Sequence, residues 1–400
     1  MSTITLSTPK EALLAKIQEI APVLQEDAAA SAREGVLSVR AQQAVIDSGL
    51  LGMCVPIDMG GSGLTGLEWL EVLEEITRVD AHTGWCVMAL SSHGGLFSSG
   101  LSDDGVAELF GNGVSRVAGM PAPRGKSRRV EGGVLHSGKH GFASGSSMCT
   151  HFVAGGIVHG DDGKPIIADN GLPEMLMVIV PREEVKEQGN WDVNGMEATT
   201  SIDFELGPDL FVPDHRTLSL NPWKNDFPRG ATYWRIGVDA LGPAGHTPCA
   251  LGMAHRALQE IATLAPTRKR IDIQFPTLAD QPRFQHDLVK LDAELKSARV
   301  GFHHIMAAAD AEVAESGGPV APETAHHIKQ QVRVVHDVAV RCADFAYHNG
   351  GSTGFRDGHT ISRLLRDLHT INTHVVVDPQ VLNAAAPTVL QELQAGPATA

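Results

Sequence analysis

The chain is poor in cysteine, in basic residues and in long apolar runs, and each scarcity excludes a class of function. Its five cysteines are scattered, form no CxxC or Cys/His ligand spacing, and predict free thiols in a reducing, cytoplasmic compartment. The 32 basic residues face 47 acidic ones, and the net charge of −15 opposes binding to nucleic acid or an anionic membrane. No run approaches the roughly 18 apolar residues of a membrane span, and MSTITLSTPKEALL lacks the pattern of a signal peptide. We expect small molecules and copies of the chain itself as partners.

Hydrophobic periodicity divides the 400 residues into a helical, a β and a second helical part. Residues 1–115 predict an N-terminal α-helical domain. Residues 116–222 carry short β-branched runs between Gly, Pro, Asn and Asp clusters and predict a small antiparallel barrel or sandwich. Residues 223–400 predict a C-terminal four-helix bundle, with helices over 234–264, 282–315, 321–348 and 358–394. The predicted fold class is α+β, mostly α.

Gly61, Gly63 and Gly66 spell GxGxxG, which is the written form of a dinucleotide fingerprint. The context argues against that function, because Pro56 interrupts the preceding apolar stretch and no alternating β and α units follow. We interpret the motif as a tight turn between two helices.

The order of the three parts, together with GLLGMCVPIDMGGSG at 49–63, resembles the acyl-CoA dehydrogenase fold over nearly the whole chain. The resemblance implies a flavin between the β-unit and the C-terminal helices. Dehydrogenases of that family use a carboxylate, usually just after a glycine-rich turn of the C-terminal domain, to remove a proton α to a thioester. The corresponding stretch NGGSTGFRDGHTISRLLRDLHTINTH at 349–374 contains no glutamate, and Asp357 and Asp367 are its only carboxylates. The dehydrogenase chemistry therefore lacks an obvious base.

Three segments resemble a different branch of the fold, the flavin-dependent monooxygenases, namely SGKHGFASGSS at 137–147, NWDVNGMEATTSID at 190–203 and SRLLRDLHTINTH at 362–374. The resemblance implies the oxygenase component of a two-component system. Reduced FMN or FAD would come from a separate NAD(P)H-flavin reductase and react with O2 to a C4a-hydroperoxide. The substrate would be an aromatic or heteroaromatic molecule, phenol- or indole-like, and the assembly a homotetramer packed through the C-terminal helices.

Two alternatives stay open at this point. The first is an FAD-dependent acyl-CoA dehydrogenase or oxidase with a displaced base, and the second is a non-catalytic flavin or ligand carrier. The branch also includes thiophene-sulfur oxygenases and amino-sugar N-oxygenases, so it does not define the oxidised atom. The family more often has Thr-Gly-Ser where this chain has Thr199-Thr200-Ser201.

The same resemblance nominates Ser144 and His93 as catalytic residues. Ser144, in GFASG, matches the position of a hydroxyl donor at the flavin edge, and its alternative is a turn serine that bonds its own backbone. His93, in ALSSHGG, matches a histidine lying over the flavin, and an imidazole can accept a substrate proton or polarise a peroxide. Ser146 and Ser147 are expected to be turn residues.

His369 and His374 stand five residues apart in the predicted last helix, about 140° around its axis, so they cannot chelate one metal. We expect no metal site. His374 flanks the apolar stripe of that helix and matches a family histidine that faces the flavin, which makes it a catalytic and cofactor-binding candidate; the alternative is a packed polar residue. Asp367, two turns earlier, is a candidate for biasing the tautomer of His374.

The remaining cofactor-binding candidates are cationic or aromatic. Arg268 and Arg270, with Lys269 between them, match phosphate-binding arginines of the family, and a solvated charge run is the alternative. Trp191 is a candidate for lining the flavin ring, although it suits the core of the β-unit as well. His140 shares a segment with Ser144, but its spacing aims it at no ligand.

Overall fold

A computed structural model describes residues 7–222, 227–269 and 274–395. Its order is helices, then strands, then helices, which confirms the α+β, mostly α class; the domain limits stay predictions. The first helices are α1 (Pro9–Glu34), α2 (Val39–Asp47), α3 (Gly66–Val79), α4 (Ala81–Gly100) and α5 (Asp103–Phe110). The strands are β1 (Val117–Val130), β2 (Gly133–Ala143), β3 (His151–Val158), β4 (Met175–Pro181), β5 (Lys186–Glu187), β6 (Ile202–Pro213) and β7 (Thr217–Asn221). The last helices are α6 (Val238–Leu264), α7 (Pro282–Ser316), α8 (Pro322–Gly354), α9 (Thr360–Ile371) and α10 (Ala386–Ala395).

The strands form one seven-stranded sheet in the order β5-β6-β2-β1-β3-β4-β7. Pairing is antiparallel except between β1 and β3, which run parallel, so the expectation of a purely antiparallel unit is wrong at this one pair. The register of β1 against β3 shifts twice between Met120 and Gly125, which bends the sheet there. The turn that follows β2 and the loop that precedes β6 carry the candidate active site.

Capping residues explain where the first helices begin. The Thr8 side chain accepts from the N–H of Glu11 at 3.2 Å while the Glu11 carboxylate accepts from the N–H of Thr8 at 2.8 Å, and Thr65 and Glu68 repeat the arrangement at the start of α3. Gly61 and Gly63 lie in the turn that leads into α3, and Gly66 is the first residue of that helix. Short 3-10 turns stand where a dinucleotide site needs a strand. The interpretation of the GxGxxG motif as a turn between helices is therefore confirmed.

The segment predicted as one helix over 358–394 is broken. Helix α9 ends at Ile371, short 3-10 turns follow at Val375–Val377 and Pro379–Leu382, and α10 starts at Ala386. Asp378 caps the second turn by accepting from the N–H of Gln380 at 2.7 Å, and proline at its first position cannot continue the preceding helical hydrogen bonds. The predicted continuous helix was wrong, and His374 lies outside α9.

Aromatic side chains join the two helical parts. Trp69 of α3 contacts Tyr233 and Trp234, with ring centroids 5.3 and 5.7 Å apart, and all three side chains are buried. A Cβ added at Gly95 would lie 2.0 Å from Trp234, so the close approach of α4 requires glycine. This junction fixes α4 against the C-terminal helices.

Over the described residues, no helix combines the length and the apolar character that a membrane span requires.

Candidate active site

Ser144 follows β2 in a turn with unusual backbone angles. Phe142 has a φ of 61° and Gly145 a φ of 77°, and the N–H of Ser144 donates to the carbonyl of Phe142 at 2.9 Å. The Ser144 hydroxyl accepts a hydrogen bond from the indole N–H of Trp85 on α4 at 3.1 Å. A buried contact therefore links the strand end to the N-terminal helices.

A second loop completes a chain of hydroxyl groups. The Ser144 and Ser201 oxygens are 2.8 Å apart, the Ser201 and Thr199 oxygens 2.7 Å apart, and Thr199 donates to the carbonyl of Met196 at 2.8 Å. The N–H of Gly145 also donates to the carbonyl of Thr199 at 2.8 Å. The two loops are thus joined by both side chains and backbone.

Two imidazoles from the C-terminal part lie beside Trp85. The rings of His246, on α6, and His374 have centroids 4.4 Å apart. The Trp85 ring is 5.0 Å from His246 and 6.3 Å from His374. Since Trp85 also bonds Ser144, the structure brings both predicted catalytic residues Ser144 and His374 to one place, between the β-sheet and the C-terminal helices.

The hydrogen bonds of the two imidazoles assign their tautomers. Nδ1 of His374 accepts from the N–H of Val376 at 3.3 Å, so its proton is on Nε2. Nδ1 of His246 faces the carbonyl of Gly242 at 2.7 Å and must donate, so its Nε2 carries a lone pair. Burial lowers the pKa of both rings, and with the neighbouring His246 it brings the pKa of His374 to about 3. At neutral pH the pair offers one donor and one acceptor.

Helix α8 supports the turn that carries His374. The buried Arg333 donates to the carbonyl of Val377 at 2.7 Å and to Oδ1 of Asn372 at 2.9 Å. Burial and the adjacent Arg333 lower the pKa of His336 to about 3, so this imidazole is neutral as well. The guanidinium holds both ends of the His374 turn against α8.

Asp367 has a different role from the one expected. Its Oδ1 accepts from the N–H of Met196 at 2.7 Å and lies 3.0 Å from Nε2 of His82, so it contacts neither nitrogen of His374, and the expected tautomer bias is wrong. Burial disfavours the charged form of His82, but the facing Asp367 carboxylate prevails and raises the pKa of His82. Glu197 lies 3.5 Å from the same nitrogen. Although the three ligand-type atoms lie within 4.8 Å of one another, we interpret them as a buried cluster in which the carboxylates favour the protonated form of His82, and Glu197 also pairs with Arg366 at 3.4 Å.

His93 and His369 lie elsewhere. His93 is inside α4, where its Nδ1 bonds the carbonyl of Val117 at 2.9 Å, its ring stacks on Phe97, and burial lowers its pKa. It follows Trp85 by eight residues, roughly 12 Å along the helix axis, and its catalytic role stays a prediction. His369 is 52% exposed and pairs with Asp344 at 2.9 Å. Since His374 lies outside α9, the helical angle predicted between His369 and His374 does not apply.

Trp191 lies at the rim of the two loops. Its indole N–H donates to the carbonyl of Met196 at 3.1 Å, and its ring meets Phe142 edge-on at 6.2 Å. Phe142 is 46% exposed and Trp191 is half-buried, so this aromatic surface is open to a ligand. A cofactor-binding role for Trp191 stays a prediction, now with accessible surface beside the Ser144 turn.

Arg268, the first phosphate candidate, follows the end of α6 and contacts α8. Arg268 donates to the carbonyl of Gly350, and an added Cβ on Gly351, whose φ is 50°, would lie 1.7 Å from its Nη2. Glycine therefore lets the guanidinium approach the backbone of α8. Lys269 forms a backbone bridge with Thr277. Arg270 lies outside the described residues, and phosphate binding by either arginine stays a prediction.

His140 lies inside the β-sheet with His136, their Nε2 atoms 3.2 Å apart and the His140 ring stacked on Phe204. Burial together with the neighbouring His140 lowers the pKa of His136 to about 3, and burial together with Arg124 lowers the pKa of His140 to about 4. This pair is part of the core of the sheet.

We expect this pair to make the protein less stable in acid. The unfolded chain binds a proton at each histidine near pH 6.5, whereas the folded chain does so only near the lowered pKa values. Stability is therefore full above about pH 6.5 and falls as the pH drops, by about 1.4 kcal/mol per pH unit for each group. Urea unfolding of His136→Gln should show a free energy that depends less steeply on pH than that of the wild type. Equal slopes would contradict this account.

Thr200, where the family more often has glycine, has a left-handed conformation with φ 47° and ψ 45°. A β-branched residue is strained there, and its hydroxyl is buried without a partner among the described residues. Thr200→Gly should therefore raise the free energy of unfolding by about 1 kcal/mol, the left-handed strain outweighing the added freedom of the unfolded chain. Thr200→Ala is the control, because it removes the hydroxyl but keeps most of the strain. A less stable glycine variant would refute the prediction.

Sequence reasoning missed several residues of this site. Trp85 and His246 lie in helices whose spacing alone gives no functional signal, and Thr199 and Ser201 were noticed only as the neighbours of Thr200, which departs from the family pattern. Glycine at positions 242 and 245, both just before His246, is a weak signal for close approach, since an added Cβ at Gly245 would lie 3.2 Å from Trp69.

The residues at this junction fit a flavin. A flat heteroaromatic ring needs aromatic surface together with donors and acceptors at its edge. Trp85, the two neutral imidazoles and the Ser144 hydroxyl supply these groups.

Comparison with known proteins decides the family. Residues 11–109 match the model of the N-terminal domain of acyl-CoA dehydrogenase, and residues 244–379 match that of its C-terminal domain. The chain is 26% identical over 341 residues to indole-3-acetate monooxygenase of Pseudomonas putida. The matched region spans 84% of this chain and 83% of that protein. The chain belongs to the acyl-CoA dehydrogenase family, in its flavin-dependent monooxygenase branch.

Two further relatives of this acyl-CoA dehydrogenase family member cover more of the chain. The oxygenase subunit HsaA, a flavin-dependent monooxygenase of Rhodococcus jostii, is 23% identical over 388 residues, 91% of this chain and 94% of that protein. The structure of XiaF from Streptomyces in complex with FADH2 and glycerol has a TM-score of 0.86 and 20% identity over 96% of each chain, which shows the same fold. The predicted resemblance is confirmed.

Proposed function

We propose that this protein is the oxygenase component of a two-component flavin-dependent monooxygenase that hydroxylates an aromatic or heteroaromatic small molecule. One observation carries the proposal: Ser144, Trp85 and the neutral pair of His246 and His374 meet between the β-sheet and the C-terminal helices. Reduced FMN or FAD, bound there, would supply the electrons and the carbon that reacts with O2. One oxygen atom enters the substrate and the other leaves as water.

The two imidazoles divide the proton chemistry. Nε2 of His374 carries a proton and can donate a hydrogen bond to an oxygen atom, while Nε2 of His246 can accept a proton from the substrate. Because both pKa values are lowered, neither ring is charged at neutral pH. His374 thus polarises an oxygen and His246 is the better candidate for the base.

A substrate with an aromatic ring and one O–H or N–H fits this arrangement. The ring finds aromatic surface at Trp85, and its polar hydrogen finds the lone pair of His246. Phenols and indoles have this combination. The name of the relative that acts on indole-3-acetate supports an indole-like substrate for this chain.

A separate reductase and a homotetramer are parts of the same proposal. The relative named an oxygenase subunit supports the reductase, since a subunit of that name needs a source of reduced flavin. Val289 and Val300 of α7 are 67% and 65% exposed, and Leu390 and Leu393 of α10 are also exposed, which supports packing of copies through the C-terminal helices. The five buried free cysteines are consistent with a cytoplasmic location.

The competing dehydrogenase function would need a carboxylate base at the same junction. Asp367, the buried carboxylate of the region, bonds His82 and Met196 instead, and Asp357 is 83% exposed. Neither acid approaches the histidine pair in the contacts described above.

The test uses purified protein with chemically reduced FMN or FAD under anaerobic conditions, followed by 18O2 and a panel of phenols and indoles. Tight binding of reduced flavin and one labelled oxygen atom per product molecule would support the proposal. Reduced flavin that binds no better than to serum albumin would overturn it. Tightly bound FAD that bleaches with acyl-CoA would establish the dehydrogenase alternative.

A further inference from the structure

The chain of hydroxyl groups from Thr199 to Ser144 has a fixed donor direction. The carbonyl of Met196 can only accept, so the Thr199 hydroxyl must donate to it. A hydroxyl has one proton, and Thr199 therefore accepts from Ser201, which in turn accepts from Ser144. In this direction every proton of the chain has an acceptor within the protein.

Ser144 is then an acceptor on its remaining side. Its own proton is used toward Ser201, and the indole N–H of Trp85 occupies one lone pair at 3.1 Å. A second lone pair is left for a ligand. Ser144 is also the most accessible hydroxyl of the chain, since it is 9% exposed while Ser201 is 3% and Thr199 is 0% exposed. The three linked hydroxyl groups therefore present one acceptor, at Ser144, to the site and no hydroxyl donor.

Backbone geometry holds this direction in place. The loop with Thr199 and Ser201 has a left-handed residue between them, Thr200 with φ 47°, and its carbonyl accepts from the hydroxyl of Ser146 at 2.6 Å. The carbonyl of Met196 also accepts from the indole N–H of Trp191 at 3.1 Å and from the backbone N–H of Thr199 at 3.2 Å, so this carbonyl is held in place from both loops. The arrangement is a rigid unit made by two loops.

We propose that Thr199 and Ser201 are positioning residues that make the site prefer reduced over oxidised flavin. This inference rests on the proposed function. The central N5 atom of a flavin bears a hydrogen in the reduced state and only a lone pair in the oxidised state. A fixed acceptor at Ser144 matches N5–H and repels the lone pair, whereas a free hydroxyl would serve either state. The family resemblance predicts that Ser144 donates a hydrogen bond to the flavin. The hydrogen-bond direction described here makes Ser144 an acceptor instead.

The test measures the dissociation constants of oxidised and reduced FMN and FAD for the full-length protein and four variants. Thr199→Val removes the acceptor for Ser201, and Ser201→Ala removes the acceptor for Ser144, so each frees the Ser144 proton. We expect each to reduce the preference for reduced flavin about tenfold, which equals about 30 mV in the two-electron potential of bound flavin. Thr199→Ser keeps the hydroxyl and should keep the preference.

Ser98→Ala is the matched control, because Ser98 is buried on α4 and its hydroxyl bonds only the carbonyl of Gly95 in the described contacts. Thermal unfolding of every variant checks the fold independently of flavin. An unchanged preference in folded Thr199→Val and Ser201→Ala overturns the inference and leaves the proposed function standing. Loss of the preference in Thr199→Ser as well would assign the effect to packing and also overturn it. Wild-type protein that binds neither redox state contradicts the proposed function itself.

Discussion

Alanine in place of His374 should lower the amount of hydroxylated product per reduced flavin oxidised by about 100-fold, with hydrogen peroxide released instead. The reason is that Nε2 of His374 is the proton-bearing imidazole nitrogen beside Trp85, and alanine offers no donor to an oxygen atom. Oxygen consumption should continue in the variant because Trp85, His246 and Ser144 still line the site. Product, peroxide and oxygen are measured in one reaction.

His369→Ala is the control for the His374 variant. Both are histidines of the same C-terminal segment, but His369 is exposed and pairs with Asp344 on the surface. Its product yield should equal that of the wild type. The cap that His374 provides to the N–H of Val376 is worth about 1 kcal/mol, so thermal unfolding should show a small loss of stability for His374→Ala. A product yield unaffected by the substitution would remove His374 from the site.

Asp367→Ala should destabilise the protein by about 3 kcal/mol. The substitution leaves the proton-bearing His82 buried without its main counter-charge and the N–H of Met196 without an acceptor. Urea unfolding monitored by far-UV circular dichroism measures the change. Flavin binding should weaken as well, since Met196 begins the loop that contains Thr199.

The comparison for this variant is Asp344→Ala. Asp344 also accepts from a histidine at 2.9 Å, but both partners are largely exposed, so the pair should contribute no more than about 0.5 kcal/mol. The two aspartates thus differ mainly in burial. Equal losses in the two variants would show that the cluster around Asp367 contributes little.

How far the site could be predicted depends on whether its residues form a local motif. Ser144 sits in a turn whose glycine and small residues follow one another, so a short segment indicates it. Trp85, by contrast, bonds Ser144 across 59 residues, and His246 meets His374 only because α6 packs beside the turn after α9. Such contacts depend on tertiary packing, which hydrophobic periodicity does not specify.

The fold was more accessible than the site, because long amphipathic helices and β-branched runs have strong periodic patterns. The errors lie where local patterns compete. The apolar spacing of 358–394 suits a helix throughout, but Pro379 and the capping Asp378 interrupt it. The parallel pairing of β1 and β3 cannot be recognised in the sequence of either strand, since the relative direction of two strands depends on the connection between them.

Asp367 lies near the carboxyl end of the chain, yet it anchors His82 from the first helices and Met196 from the β-part. During synthesis the loop of Met196 leaves the ribosome about 170 residues before this anchor, on the order of ten to thirty seconds earlier. Until then His82 has no buried counter-charge at residue 367, and the loop lacks its native attachment. The proposed flavin site is therefore completed only when the last helices are made, and a chain truncated before residue 367 should never acquire it.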